Sequence, residues 1–161
     1  MKNYLKILRI KGDTTVKTIK KIEWESKYSV DIEEIDNFQK KMFAMINELV
    51  DMKDLKLETK EYVNMISRIN ELSRLYFSTE EKLLKKNGYP DFGEHARAHR
   101  QFIKSFISLR RKILDDINNL NYDVINELKE WIINHILTFD ALYIPFLRIN
   151  RYIKELNGKT Y

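Results

Sequence analysis

The sequence predicts an all-α fold, an up-down-up-down antiparallel four-helix bundle with an N-terminal arm and a short C-terminal helix. Three observations carry this. The apolar residues fall three and four apart in four successive blocks. Only four glycines and two prolines punctuate 161 residues, too few for the many turns of a β-sandwich. That length makes about one domain with a sizeable core.

The first block runs Ile32, Ile35, Met42, Phe43, Ile46, Leu49, Val50 and ends in the charged stretch from Asp51 to Lys56. In the second, Tyr62, Met65, Ile66, Ile69, Leu72, Leu75, Leu83 and Leu84 lead to Asn87-Gly88-Tyr89-Pro90, where glycine suits a left-handed cap and proline blocks continuation. The third contains Phe92, Phe102, Ile103, Phe106, Leu109, Ile113 and Ile117, and breaks at Asn118-Asn119-Leu120-Asn121. The fourth contains Val124, Leu128, Trp131, Ile132 and Ile136 and reaches Leu142, before Pro145 is expected to interrupt it; Phe146 to Leu156 forms a short fifth segment. Short connections favour antiparallel neighbours with their stripes turned to a shared centre. The expected organisation is an arm over 1–21, the bundle over 22–142 and an extension over 143–161.

Charge is unevenly spread. Seven lysines or arginines against Asp13 give residues 1–21 a charge of +6, which leaves −1 for residues 22–161 out of a total of +5. The basic balance belongs to an appendage, so a general nucleic-acid-binding surface is not implied. An acidic partner would suit the arm. It lacks the apolar core and cleavage site of a secretory signal and is too short and charged to span a bilayer; the expected location is cytoplasmic. No cysteine occurs, which excludes disulfides, thiolate metal sites and cysteine nucleophiles. Phosphate loops, nucleophile elbows and HExxH elements are absent too.

The stripes are interrupted by polar residues. Stepping by three or four from Ile35 reaches Gln39; from Leu72, Tyr76 and Glu80; from Phe92, His95 and His99; from Leu128, through Trp131, His135. In an antiparallel bundle these positions, with Asp140, share one end. A carboxylate buried there costs several kcal/mol unless answered, and at that level the inward stripes carry no lysine or arginine but all three of the chain's histidines. A histidine pair at i and i+4 is a common accident, and a lone inward histidine is more often a hydrogen-bonded core residue. All three converging beside an inward glutamate points instead to a metal site. Two carboxylates and three imidazoles suit iron, manganese or zinc. His135 and Asp140, five apart, lie about 140° apart on a straight helix, so either the helix widens or Asp140 approaches from the side. Glu81, about 100° from Glu80, is expected in solvent.

These residues carry a resemblance. Ile22-Glu23-Trp24, Tyr28-Ser29-Val30, Ile35-Asp36 and Met45-Ile46-Asn47-Glu48-Leu49 resemble the opening of the bacterial hemerythrin pattern. Phe77-Ser78-Thr79-Glu80-Glu81, Tyr89-Pro90, His95, His99, Trp131-Ile132, His135-Ile136 and Asp140 resemble its remainder, so that the likeness covers residues 22–142. It implies a bundle holding two irons bridged by two carboxylates, one iron with three histidines and the other with two and an open position for O₂. By the motif, Glu80 and Asp140 match the bridging pair and His95, His99 and His135 the three-histidine iron. Gln39 and Tyr76 stand where the remaining two histidines are expected, both on the iron that binds O₂.

Three states of the site follow. One ion, iron foremost, is held by His95, His99, His135, Glu80 and Asp140; two ions are held with Tyr76 as a further ligand; or the site is metal-free, with Gln39 and Tyr76 bonding the carboxylates. The expected function is a metal protein for redox, or for sensing or binding of iron, O₂ or another small diatomic, rather than reversible O₂ carriage. Against it stands a scaffold that interacts through its basic arm. An enzyme is a third class, but no substrate-shaped feature supports it.

Overall fold

The computed structural model describes residues 19–55 and 57–158. Most of the basic arm, including Lys2, Lys6, Arg9, Lys11 and Lys17, lies outside the described residues. Five α-helices follow in order, α1 (Glu33–Asp54), α2 (Thr59–Lys86), α3 (Phe92–Asp115), α4 (Tyr122–His135) and α5 (Ala141–Gly158), and among the described residues there is no strand.

Each boundary has a local cause. Glu33, Glu34 and Asp36 occupy the first turn of α1, where carboxylates complement the helix dipole. Asp36 also accepts hydrogen bonds from Ser29 Oγ at 2.6 Å and the Val30 amide at 2.9 Å, which ties the preceding segment to the helix. Glu58 and Glu61 form a reciprocal capping box at the start of α2. That helix stops as expected: Gly88 has φ +68°, the Tyr89 amide reaches back to the Leu84 carbonyl at 3.0 Å and the Gly88 amide to that of Lys85 at 3.2 Å, the paired bonds of a Schellman motif. The Asn121 side chain accepts from the Val124 amide at 3.0 Å and caps α4.

Helix α1 lies beside α2 and α4, and α2 beside α3. Between α3 and α4 the contact is made by side chains, with Phe102 stacked on Trp131 at 3.9 Å between ring centres. Met42, Phe43, Ile46, Leu49, Ile66, Ile69, Phe106, Ile113, Ile125 and Ile132 fill the core. The segment before α1 is laid along it, with Ile22, Tyr28 and Val30 buried and the Asn47 amide clamping both backbone groups of Ile22 at 2.8 Å.

Two expectations are corrected here. Leu75 and Leu142 are 59% and 62% exposed. The inward line of α2 runs through Ile69, Ser73, Tyr76, Phe77, Glu80 and Leu84, and Leu75 is about 200° from Phe77 around the helix. Pro145 does not interrupt the chain: it lies inside α5, and Tyr122–Asn157 is one continuous helical run of 36 residues. Proline removes a donor but its φ is helical. The run is long and apolar enough by length and composition to cross a membrane; here it forms the fourth wall of the bundle and carries two of the site's buried polar residues.

Candidate metal centre

Because α2 and α3 are antiparallel and joined by a tight turn, the last third of α2 faces the first turns of α3. Glu80 therefore meets His95 and His99, one helical turn apart. Opposite them α4 delivers His135 from its last turn. A π-helical turn, Ile136–Asp140, follows directly; its i→i+5 bonding brings residues five apart onto nearly one face. Of the two arrangements that the five-residue spacing allowed, this is the local widening, and it turns Asp140 to the same point as His135.

All five side chains are buried, none more than 2% exposed, and one donor atom from each lies within 4.8 Å of every other. Glu80 Oε2 is 3.0 Å from His95 Nε2 and 3.1 Å from His99 Nε2. His99 Nε2 and His135 Nε2 are 2.9 Å apart. Asp140 Oδ1 stands 3.1 Å from His135 Nε2 and 3.5 Å from His95 Nε2, yet makes no hydrogen bond, since neither nitrogen is aligned with it. Donors bound to one ion at about 2.1 Å sit about 3.0 Å from their neighbours, so the spacing is that of a ligand shell. Two imidazole nitrogens brought together at 2.9 Å and a carboxylate oxygen near but misaligned suit a shared cation.

The outer partners fix this orientation. His99 Nδ1 is 2.9 Å from Glu81 Oε1; an ionised carboxylate only accepts, so Nδ1 carries the proton and Nε2 is left to face the centre. Phe77 stacks on His99 at 3.9 Å and 5°, while His135 is held between Trp131 at 4.7 Å and Phe139 at 5.1 Å, both within 11° of parallel. Each carboxylate's second oxygen is also taken. Tyr143 donates to Glu80 Oε1 at 2.6 Å and Tyr76 to Asp140 Oδ2 at 2.8 Å. Burial first, then the charges of Glu80 and Asp140, push both tyrosines well above the usual phenol range, so both hydroxyls keep their protons and donate. Gln39 is fully buried and accepts from Trp24 Nε1 at 3.1 Å; its amide nitrogen makes no hydrogen bond.

Two members of this arrangement are missing from the sequence reading. Glu81 is not simply in solvent: its side chain is 29% exposed and holds His99. Tyr143 falls beyond residue 142, where an extension was expected, but is buried, and Ile144, Phe146 and Leu147 pack on the core with it. The one signal for Tyr143 is its spacing of i+3 from Asp140, which the expected break at Pro145 obscures. For Glu81 none existed, because its partner lies on another helix.

Residues 30–147 match the Hemerythrin HHE cation binding domain. The chain belongs to the hemerythrin family. Bacteriohemerythrin of Clostridium acetobutylicum is 28% identical over 125 residues, covering 75% of this chain and 97% of that one. Bacteriohemerythrin of Pseudomonas aeruginosa is 30% identical over 129 residues, 78% of this chain and 80% of that one. A crystal structure of wild-type hemerythrin superposes with a TM-score of 0.71 at 25% identity, over 77% of this chain and 95% of the other. As a hemerythrin-like protein the chain is a metal-binding bundle, with a buried cluster able to hold a cation.

The metal-free state carries its own charge balance. Burial alone would raise Glu80, but hydrogen bonds from His95 and His99 and their charge outweigh it and hold the carboxyl well below its usual 4.5. Burial likewise lowers His99, and bonds to Glu80 and Glu81 overturn this, raising it above 6.5. A depressed acid stabilises the fold above its unfolded pKa and loses this as pH falls; a raised base stabilises below its unfolded pKa and loses it as pH rises. The metal-free protein is therefore expected to have its highest unfolding temperature between about pH 4.5 and 6.5. Metal loading runs the other way, because His99 must give up its proton, so affinity falls as pH drops below the raised His99 value. Thermal unfolding of chelated protein across pH 4 to 9, as an order-of-magnitude window of about five units, checks this; a monotonic rise toward alkaline pH contradicts it.

Proposed function

We propose that the protein holds one iron ion through His95, His99, His135, Glu80 and Asp140, and uses it for redox or for sensing O₂ or a related diatomic rather than for reversible O₂ carriage. The observation that carries this is the pairing of a complete five-donor cluster with carboxylates whose outer oxygens are already bonded to Tyr76 and Tyr143. A carboxylate that bridges two ions through both oxygens has neither left for a tyrosine to hold in this way. Iron in this position supplies one-electron redox chemistry and an affinity for small diatomic ligands. Zinc and manganese suit the same donors.

The chain's residues make such an ion tolerable inside the bundle. Glu80 and Asp140 offset the charge of a divalent cation, and the histidines enter neutral, so the loaded site carries no net charge into the core. Glu81 fixes the tautomer and direction of His99, and the flanking Phe77, Trp131 and Phe139 rings keep water from the ligands. Gln39 and Tyr76 occupy the positions where the family resemblance places two further histidines, and on this reading they replace a second ion with hydrogen bonds.

Protein produced in iron-replete cells is expected to carry about one equivalent of iron, with no long-wavelength tyrosinate band in the visible spectrum. Two equivalents with such a band would favour the two-ion reading with Tyr76 as ligand, and metal-free protein that takes up no iron would favour the scaffold. Glu81→Gln is expected to weaken iron binding about 10- to 100-fold in chelator competition. An unchanged affinity would remove Glu81 from the site.

A further inference from the structure

The last helix carries a second apolar face that is exposed among the described residues. Tyr143 is buried and Ile144, Phe146 and Leu147 pack on the core, whereas Leu142, Ile149, Tyr152 and Ile153 are 62%, 59%, 61% and 48% exposed. Phe139 and Leu156 continue the line at 36% and 49%. The spacing is regular: Phe139, Leu142, Phe146, Ile149, Ile153 and Leu156 are separated by three, four, three, four and three residues, with Phe146, half-buried and edge-on to Tyr89, shared between this line and the core. That is the a/d alternation of a coiled-coil seam, narrower than the stripe of a helix packed in a globular core. Arg151, Lys154 and Glu155 lie off the line, and Arg148, also off it, is engaged by Asp31.

We propose that this seam is the interface of a homodimer, its occupant being the same seam of a second copy. A stripe that repeats every 3.5 residues is self-complementary. Run antiparallel about a two-fold axis between Phe146 and Ile149, it sets Phe139 against Leu156, Leu142 against Ile153 and Phe146 against Ile149, each pairing occurring twice. Every a position then meets a d position, as knobs-into-holes packing needs, and the contact is isologous and closed. The exposed side chains offer at most about 500 to 600 Å² per copy, so a dimer that covers most of them stands near the roughly 1,000 Å² of a specific interface. Because Phe139 lies over His135 at 5.1 Å and edge-on to His95 at 5.9 Å, the seam begins on the ring that forms the outer wall of the buried cluster. The dimer itself does not depend on which metal, if any, the cluster holds.

Sedimentation equilibrium of the full chain, metal-free and metal-loaded, tests this. A reversible dimer is expected, with a dissociation constant in the range of about 1 to 50 µM given the modest area. Ile149→Glu/Ile153→Glu replaces two exposed side chains, so the fold should hold by circular dichroism while self-association weakens at least about 100-fold. The chain has no cysteine and Leu142 faces Ile153 of the second copy, so Leu142→Cys/Ile153→Cys, whose two thiols lie about 16 Å apart along one helix, is expected to give a covalent dimer on mild oxidation. A wild-type chain that is monomeric at about 100 µM, or a dimer unaffected by the double substitution, overturns it. So does a monomer that floats with phosphatidylglycerol vesicles, which would assign the face to a lipid surface.

Discussion

His99→Ala is expected to lower iron affinity by more than about 100-fold, the upper end of what loss of an orienting partner costs, because it removes a donor itself. His99 has three polar partners at the cluster. Its Nε2 lies 3.1 Å from Glu80 Oε2 and 2.9 Å from His135 Nε2, and its Nδ1 reaches Glu81. Alanine also strips the buried Glu80 carboxylate of one of its two histidine partners and bares the face of Phe77. In the metal-free protein, breaking a buried charged pair costs about 3 kcal/mol, so a lower unfolding temperature accompanies the lost metal. His99→Gln separates the two effects. Its amide still offers a donor toward Glu80, so it should recover part of the stability while iron remains lost. Iron retained at the wild-type level by a folded His99→Ala would show that the cluster is not the binding site.

What the sequence exposes and what it hides divide along a physical line. Helices α1 to α4 are legible because burial on one side of a helix writes itself as a three-four spacing, and the stop at Gly88 because a positive φ demands glycine. The five clustered residues are legible for the same reason: a charged or imidazole side chain on an apolar stripe contradicts its surroundings and needs a partner. The π turn was visible only as a conflict, His135 and Asp140 sharing no face of an ideal helix, and the structure resolves it by widening the turn between them. Leu75 shows the opposite failure. It is apolar and near the right spacing, but α2 turns Phe77 inward and so turns Leu75 out.

Partners held across helices leave no periodic trace. Glu81 has the sequence signature of a solvent residue, and only the approach of α3 makes it the acceptor for His99. Tyr143 is hidden by Pro145, because proline inside a helical pattern is normally read as its end. Here the missing donor falls just after a π turn and the helix continues, which carries the tyrosine hydroxyl to Glu80. The exposed seam of α5 has a different cause for its ambiguity: its residues are as apolar as a core stripe, and sequence alone does not separate a face covered by the bundle from one left in the open.

Gln39→His/Tyr76→His is expected to raise the iron content from about one toward two equivalents per chain. Tyr76 donates to the outer oxygen of Asp140, and the Gln39 amide nitrogen is buried without a hydrogen bond, so the polar groups beside the cluster are incompletely satisfied. With imidazoles in both positions, two nitrogens would join the outer oxygens of Asp140 and Glu80, a four-donor set for a second ion. Tyr143, bonded to Glu80 Oε1 at 2.6 Å, opposes this, and adding Tyr143→Phe should complete the change if the double variant fills only in part. Loading is read by metal analysis together with the near-ultraviolet absorption of a bridged ferric pair. A folded triple variant that still binds a single ion would mean that the tyrosine hydroxyls are not what closes the second position. A second equivalent gained through these substitutions would instead assign the one-ion state to Gln39, Tyr76 and Tyr143, since the helices and the other five donors are unchanged.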